Sequence, residues 1–99
     1  MAEISSARRA LRVLKILKGH TLTGLANKEI SEALCESPVN VSRALDALQE
    51  EGLVTKLDNG RFSHGIALLQ IANAHANHTL AIQNRLMEIN RRIISGATD

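Results

Sequence analysis

At 99 residues and 10.8 kDa, the chain has room for one small domain with an appendage, because two separate cores would each bury too little apolar surface. An apolar share of 44% against 22% charged residues argues for a folded chain rather than disorder. Phe62 is the single aromatic residue, so the core must come from Leu, Ile, Val and Ala, which favours helices and argues against an aromatic platform for stacking unpaired bases.

The net charge of +2 identifies no partner, but its distribution is polarised. Arg8, Arg9, Arg12, Lys15, Lys18 and Lys28 precede any acid after Glu3, whereas residues 29–58 hold seven acids and two bases. That pattern suits a face that meets a polyanion, the plainer alternative being a solvated helix face. The lone Cys35 excludes an intramolecular disulfide and suits a reducing, cytoplasmic setting. Met1, Ala2, Glu3 and Ile4 lack the basic start of a leader, and the longest apolar run is the four residues from Ile66 to Leu69, so neither a signal peptide nor a membrane span is expected.

In chain order, Ser5 or Ser6 can cap a helix over residues 7–18 ended by Gly19, with Ala10, Val13, Leu14 and Leu17 on one side and Arg8, Arg12 and Lys15 opposite. Thr21, Leu22 and Thr23 suit a connector or a minor third strand. Asn27 can cap a second helix reaching Leu34 or Cys35, with Ile30, Ala33 and Leu34 as its apolar face. Ser37 and Pro38 form a cap and first position for a third helix, with Val41, Ala44, Leu45 and Leu48 inward and Gly52 as its stop. Only about three residues separate the two helices, the spacing of a helix-turn-helix. Residues 53–55 and 61–63 then flank Asp58, Asn59 and Gly60, where Asn-Gly offers the positive φ angles of a tight hairpin turn. From Leu68, alternating spacings of four and three run through Ala72, His75, Thr79, Ile82, Leu86, Ile89 and Ile93, weak in apolar character at His75 and Thr79 and strong from Ile82. That is a heptad seam, with a break near His78 left open.

Three helices, the last two across a tight turn, followed by a hairpin, predict a mainly α winged helix-turn-helix over residues 5–65. A helical dimerisation segment follows over residues 66–95, as a single helix or a pair. A helix of about 10 Å fits a major groove about 12 Å wide, its first turns nearest the bases. Val39, Asn40, Ser42 and Arg43 are therefore the expected base readers, and Asp46 and Glu50 come later. Arg pairs with guanine, Asn with adenine, and Val39 meets a thymine methyl. Against this stand an Arg43–Asp46 ion pair and a capping role for Asn40. Arg8, Arg12, Lys15, Lys28, Ser37, Lys56, Asn59 and Arg61 are expected on the DNA backbone, and Ile82, Leu86, Ile89 and Ile93 in a homodimer seam.

The runs Ala7-Arg8-Arg9-Ala10-Leu11-Arg12-Val13-Leu14, Glu29-Ile30-Ser31-Glu32-Ala33-Leu34, Val41-Ser42-Arg43-Ala44-Leu45, Glu51-Gly52-Leu53-Val54 and Asp58-Asn59-Gly60-Arg61-Phe62-Ser63-His64-Gly65 resemble, in their joint spacing, the N-terminal DNA-binding domain of IclR-type transcriptional regulators. The resemblance covers roughly residues 5–72. It implies that the helix bearing Asn40, Ser42 and Arg43 enters the major groove, that residues 58–61 form the wing, and that the helix after Gly65 links to dimerisation. Such regulators continue into an effector-binding domain, whereas this chain stops at Asp99, so no small-molecule effector is expected. A stand-alone module would suit a phage or mobile-element regulator. Cys35-Glu36 stands where the family's turn has Gly and an apolar residue, and Pro38-Val39-Asn40 also departs from the family.

Double-stranded DNA and a second copy of the chain are thus the expected partners, with no membrane and no cofactor. Cys35, His64, His75 and His78 come from different elements and make a poor zinc site. No nucleophile triad or phosphate-binding loop is present, and Cys35 reads as buried filler, so an enzyme is not expected. The competing expectations are a winged-helix protein-interaction adaptor and a replication or transposition accessory protein.

Overall fold

In the computed structural model, which describes residues 5–96, Ser5 is extended and its hydroxyl accepts the Arg8 N–H at 3.2 Å. This caps α1, Ser6–Ile16, which buries Val13 and half-buries Ala10, Leu14 and Ile16. Residues 1–4, on which the absence of a leader rests, lie outside the described residues. α1 ends sooner than its periodicity predicts. The His20 N–H bonds back to Leu17 O at 3.0 Å and Gly24 N–H to His20 O at 2.8 Å, so residues 17–24 wind through successive turns. Thr21, Leu22 and Thr23 lie in those turns and form no strand. The third-strand pairing falls instead on Leu25, whose N–H and C=O both bond Phe62, at 2.9 and 2.8 Å. A Cβ on Gly24 would lie 2.8 Å from the Phe62 carbonyl, so only glycine lets the two segments approach this closely.

α2, Asn27–Leu34, is capped one residue earlier than expected, at Ala26, whose N–H is held by the Glu29 carboxylate at 3.0 Å. Glu29 supplies the reciprocal half of a capping box, and Asn27, now inside the helix, is free for other bonds. α2 buries Ile30 and Ser31, while Ala33, expected on the apolar face, is exposed. Ser31 tolerates burial because its hydroxyl donates to Asn27 Oδ1 at 2.7 Å. Cys35 closes the helix in the left-handed region at φ 54. It is exposed, which corrects the reading of Cys35 as buried filler.

Ser37 then caps α3, Pro38–Glu50, its hydroxyl accepting Asn40 N–H at 3.1 Å with Pro38 at the first position. As its spacing predicts, α3 buries Val41, Ala44, Leu45 and Leu48. It ends in a Schellman motif: Gly52 has φ 75, Leu53 N–H reaches Leu48 O at 2.9 Å, and Gly52 N–H reaches Gln49 O at 3.0 Å.

That cap occupies Leu53, so β1, Val54–Lys56, begins one residue later than expected. It pairs antiparallel with β2, Phe62–His64, in the register Val54 to His64 and Lys56 to Phe62. The connecting loop also differs from the tight turn expected, in which both Asn59 and Gly60 supply positive φ angles. Leu57 N–H bonds Arg61 O at 2.7 Å, Gly60 N–H bonds Leu57 O at 2.9 Å, and only Gly60 in the loop has positive φ, at 82. The result is a three-residue loop with glycine at its left-handed position. Asn59 contributes a side-chain acceptor for Arg61 N–H at 2.9 Å instead of a left-handed backbone.

The chain divides into two units, Met1–Leu69 and Gln70–Asp99. The core of the first consists of Val13, Leu17, Ile30, Val41, Ala44, Leu45, Leu48 and Val54, and no α4 residue belongs to it. α4, Ile66–Gly96, is one continuous helix of 31 residues with no break near His78. None of its residues is buried.

Two substitutions test this account. A Cβ on Gly65 would collide with the Gly52 carbonyl, where Gly65 N–H already bonds Leu53 O at 2.8 Å. Gly65→Ala is therefore expected to lower unfolding free energy by about 1–3 kcal/mol in urea titration. Cys35→Gly should raise it by about 0.5 kcal/mol, since relief of a left-handed penalty of about 1–2 kcal/mol exceeds the added freedom of glycine in the unfolded chain.

Candidate nucleic-acid interface

With Val41, Ala44, Leu45 and Leu48 inward, the 100° step of a helix leaves Val39, Arg43, Asp46 and Glu50 along the outer line of α3. Val39 is 60% exposed and Arg43 is exposed. Arg43 makes no ion pair with Asp46, whereas three other pairs form among the described residues. The competing structural role for Arg43 is therefore not realised, and the outer line runs from apolar to basic to acidic with distance from the cap.

Asn40 and Ser42 sit on opposite flanks of that line. Asn40 is half-buried and, with Arg43, borders a cleft against the start of α1 formed by Ser6, Ala7, Arg9 and Ala10. Its backbone N–H, not its side chain, takes part in the Ser37 cap. Ser42 lies on the α2 side, where Asn27 Nδ2 donates to its hydroxyl at 2.9 Å and to Pro38 O at 3.2 Å.

The basic residues fall into separate groups. Arg8 is exposed in the first turns of α1. Arg12 and Lys15 are exposed and border a depression with Ile16 and Leu34, with no α3 residue among its lining. Lys28 is exposed on α2, beside Asn27, Ser31 and Pro38. On the hairpin, the Lys56 ammonium stands 5.8 Å from the Phe62 ring centre, within cation–π range. Arg61 is bound on two sides: Nη2 lies 2.6 Å from Glu29 Oε1, and Nε donates to Gly24 O at 3.3 Å. It ties the hairpin to the start of α2.

Sequence reasoning missed two groups at this site. Arg9 Nε donates to Glu36 Oε1 at 3.0 Å, with both side chains mostly buried, and joins α1 to the turn before α3. The signal was available: Arg9 falls on the flank of the basic stripe, and Glu36 lies in the turn. His64 Nε2 lies 2.9 Å from Leu14 O and anchors β2 to α1. Among the described residues, no cluster of three or more His, Cys, Asp or Glu side chains could hold a metal, and no helix is long and apolar enough to cross a membrane.

A helix exposed at its N-terminal turns, backed by two helices and followed by a tethered hairpin, is the arrangement of a winged DNA-binding module. Residues 6–58 match the IclR helix-turn-helix domain. The chain belongs to that family. Among solved structures, this IclR module is similar to an IclR transcriptional regulator from Alicyclobacillus acidocaldarius, with 29% identity and a TM-score of 0.65 over 76% of this chain and 30% of that one. It is also similar to a mutant ZitR from Lactococcus lactis, with 22% identity and a TM-score of 0.46 over 93% of this chain and 63% of that one. No curated protein matches significantly. The chain thus spans about a third of the length of the Alicyclobacillus regulator. Its family makes it a DNA-binding module of transcription regulators.

Because the Arg61 guanidinium is already committed, Arg61→Ala should lower stability by about 0.5–1 kcal/mol, the modest value of a part-exposed pair. The salt dependence of DNA binding should stay unchanged. A slope reduced by about one unit in a salt titration would make Arg61 a phosphate contact instead.

Proposed function

We propose that this IclR module is a cytoplasmic, sequence-specific regulator that binds double-stranded DNA as a homodimer. The observation that carries the reading is the outer line of α3, on which exposed Val39 and Arg43 precede Asp46 and Glu50. Phosphates repel the later acids, so α3 enters the groove by its capped end. There Arg43 reaches a guanine edge, Val39 a thymine methyl, and Asn40 and Ser42 the bases to either side. Ser37, Lys28, Arg8, Lys56 and Asn59 meet the flanking backbone, and Arg12 and Lys15 more distant phosphates. Arg61 keeps the hairpin in position.

The homodimer reading rests on α4. Ile82, Leu86, Ile89 and Ile93 are 47%, 55%, 39% and 64% exposed. No α4 residue belongs to the buried core of the first unit, which argues against a tail needed to finish it. A second copy of the same seam supplies the cover, and charge selects the orientation. Arg85 and Arg92 flank one side of the seam, Gln83 and Asn90 the other. A parallel pair sets Arg85 against Asn90 and His78 against Gln83, whereas an antiparallel pair sets arginine against arginine. Two parallel helices give the two-fold symmetry that a palindromic operator requires.

Selection from random duplex DNA tests the reading and should return a palindrome. Arg43→Ala should cost about 1–3 kcal/mol at that site and relax one base position in each half. Replacing Leu86 and Ile89 together by Lys should leave a folded monomer in sedimentation, with weak half-site binding. A wild type monomeric at working concentration would remove the dimer. A tetramer would replace the pair with a bundle that also covers Leu80, Met87 and Ile94, the second exposed apolar row.

A further inference from the structure

A serine hydroxyl carries one donor hydrogen and two acceptor lone pairs. Inside a helix, that hydrogen commonly returns to the carbonyl four residues back, which for Ser42 is Pro38. Here the return is blocked. The repeat of α3 brings Ser42 N–H to the Pro38 carbonyl, and Asn27 Nδ2 donates to the same oxygen from α2 at 3.2 Å, so both of its lone pairs are used.

The second hydrogen of the same amide goes to Ser42 Oγ at 2.9 Å. The amide's orientation is fixed by chemistry. The Pro38 carbonyl can only accept, so the nitrogen of Asn27 must face α3, and buried Ser31 donates its hydroxyl to Asn27 Oδ1 at 2.7 Å. Ser42 is exposed, and its hydroxyl hydrogen meets no acceptor among the described residues.

The geometry points to Asn27 as a positioning residue that makes Ser42 an outward hydrogen-bond donor, and to Ser42 as a specificity determinant that selects an acceptor on the DNA. That acceptor is a purine N7, guanine O6, thymine O4 or a phosphate oxygen. The inference rests on the proposed sequence-specific binding.

Duplex selection and affinity measurement on wild type, Ser42→Ala, Asn27→Ala and the double variant test it. Ser42→Ala should weaken the selected site roughly five- to tenfold, the worth of one hydrogen bond. Asn27→Ala should reproduce that loss, because the freed lone pair of Pro38 recaptures the Ser42 hydrogen, and the double variant should be no worse than either. Relaxed preference at one base position identifies a base acceptor, and an equal loss on all sequences identifies a phosphate. Asn27→Asp keeps the side chain's shape but cannot donate and captures the Ser42 hydrogen itself, so it should lose at least as much. It also decides the matter if Asn27→Ala fails to fold. Additive losses, or unchanged affinity and preference in Ser42→Ala or Asn27→Asp, would overturn the inference alone. A wild type without sequence preference would overturn the proposed function with it.

Discussion

The direction of α3 depends on the three residues that separate it from α2, and each of them is held by a different bond. Cys35 takes the left-handed conformation that reverses the chain. Glu36 is fixed twice, its N–H to Ser31 O at 3.0 Å and its carboxylate to Arg9 at 3.0 Å. Ser37 turns the chain into its next cap. A mostly buried ion pair adds little net stability once desolvation is counted, but it tolerates few geometries. Arg9 and Glu36 therefore define the angle at which α3 lies across α1 more than they strengthen the fold. A glycine at position 35 would relieve backbone strain but also loosen the unfolded chain.

How much of this was legible depends on the range over which each signal acts. The buried face of α3, its cap at Ser37 and the order of helices and hairpin follow from local periodicity and capping chemistry, and the sequence reading found them. The misplaced boundaries have tertiary causes. Thr21, Leu22 and Thr23 are strand-like in composition, but the bonding partner is Phe62, and only Leu25 is placed to reach it. Asn27 is a good cap by type, yet Glu29 satisfies Ala26 instead, because its carboxylate also meets Arg61 of the hairpin. A shift of one residue changed the role of Asn27 from ending a helix to joining two. The basic stripe of α1 was legible as a stripe but not as a location: a helical wheel does not say which neighbour each side faces. Arg12 and Lys15 border Leu34, while Arg9 and Ala10 border the reading helix.

The distribution of charge along α3 carries a second consequence. Arg43 is the only basic residue of α3, and Asp46 and Glu50 follow on its outer line. A helix that lay flat in the groove would bring both carboxylates toward phosphates across a desolvated gap, where like charges cost most. Entry by the capped end avoids this and adds the favourable partial charge of the helix N-terminus. The same arrangement places the start of α1 beside Asn40 and Arg43, so the first turns of two helices share one surface.

α4 obeys a different economy from the rest of the chain. Isolated helices hold together poorly in water, because most helical stability in proteins comes from packing an apolar face. α4 has 31 residues and none of them is buried, while the first unit needs none of them for its core. The Glu88–Arg92 pair, at 3.6 Å and largely exposed, contributes a few tenths of a kcal/mol at most. The apolar rows through Ile82, Leu86, Ile89 and Ile93 and through Leu80, Met87 and Ile94 are exposed, and the proposed homodimer would cover the first of them. In that dimer, the helical state of α4 and its association would be one equilibrium. The affinity of the proposed homodimer for a two-fold site would then depend on the module's own concentration through α4.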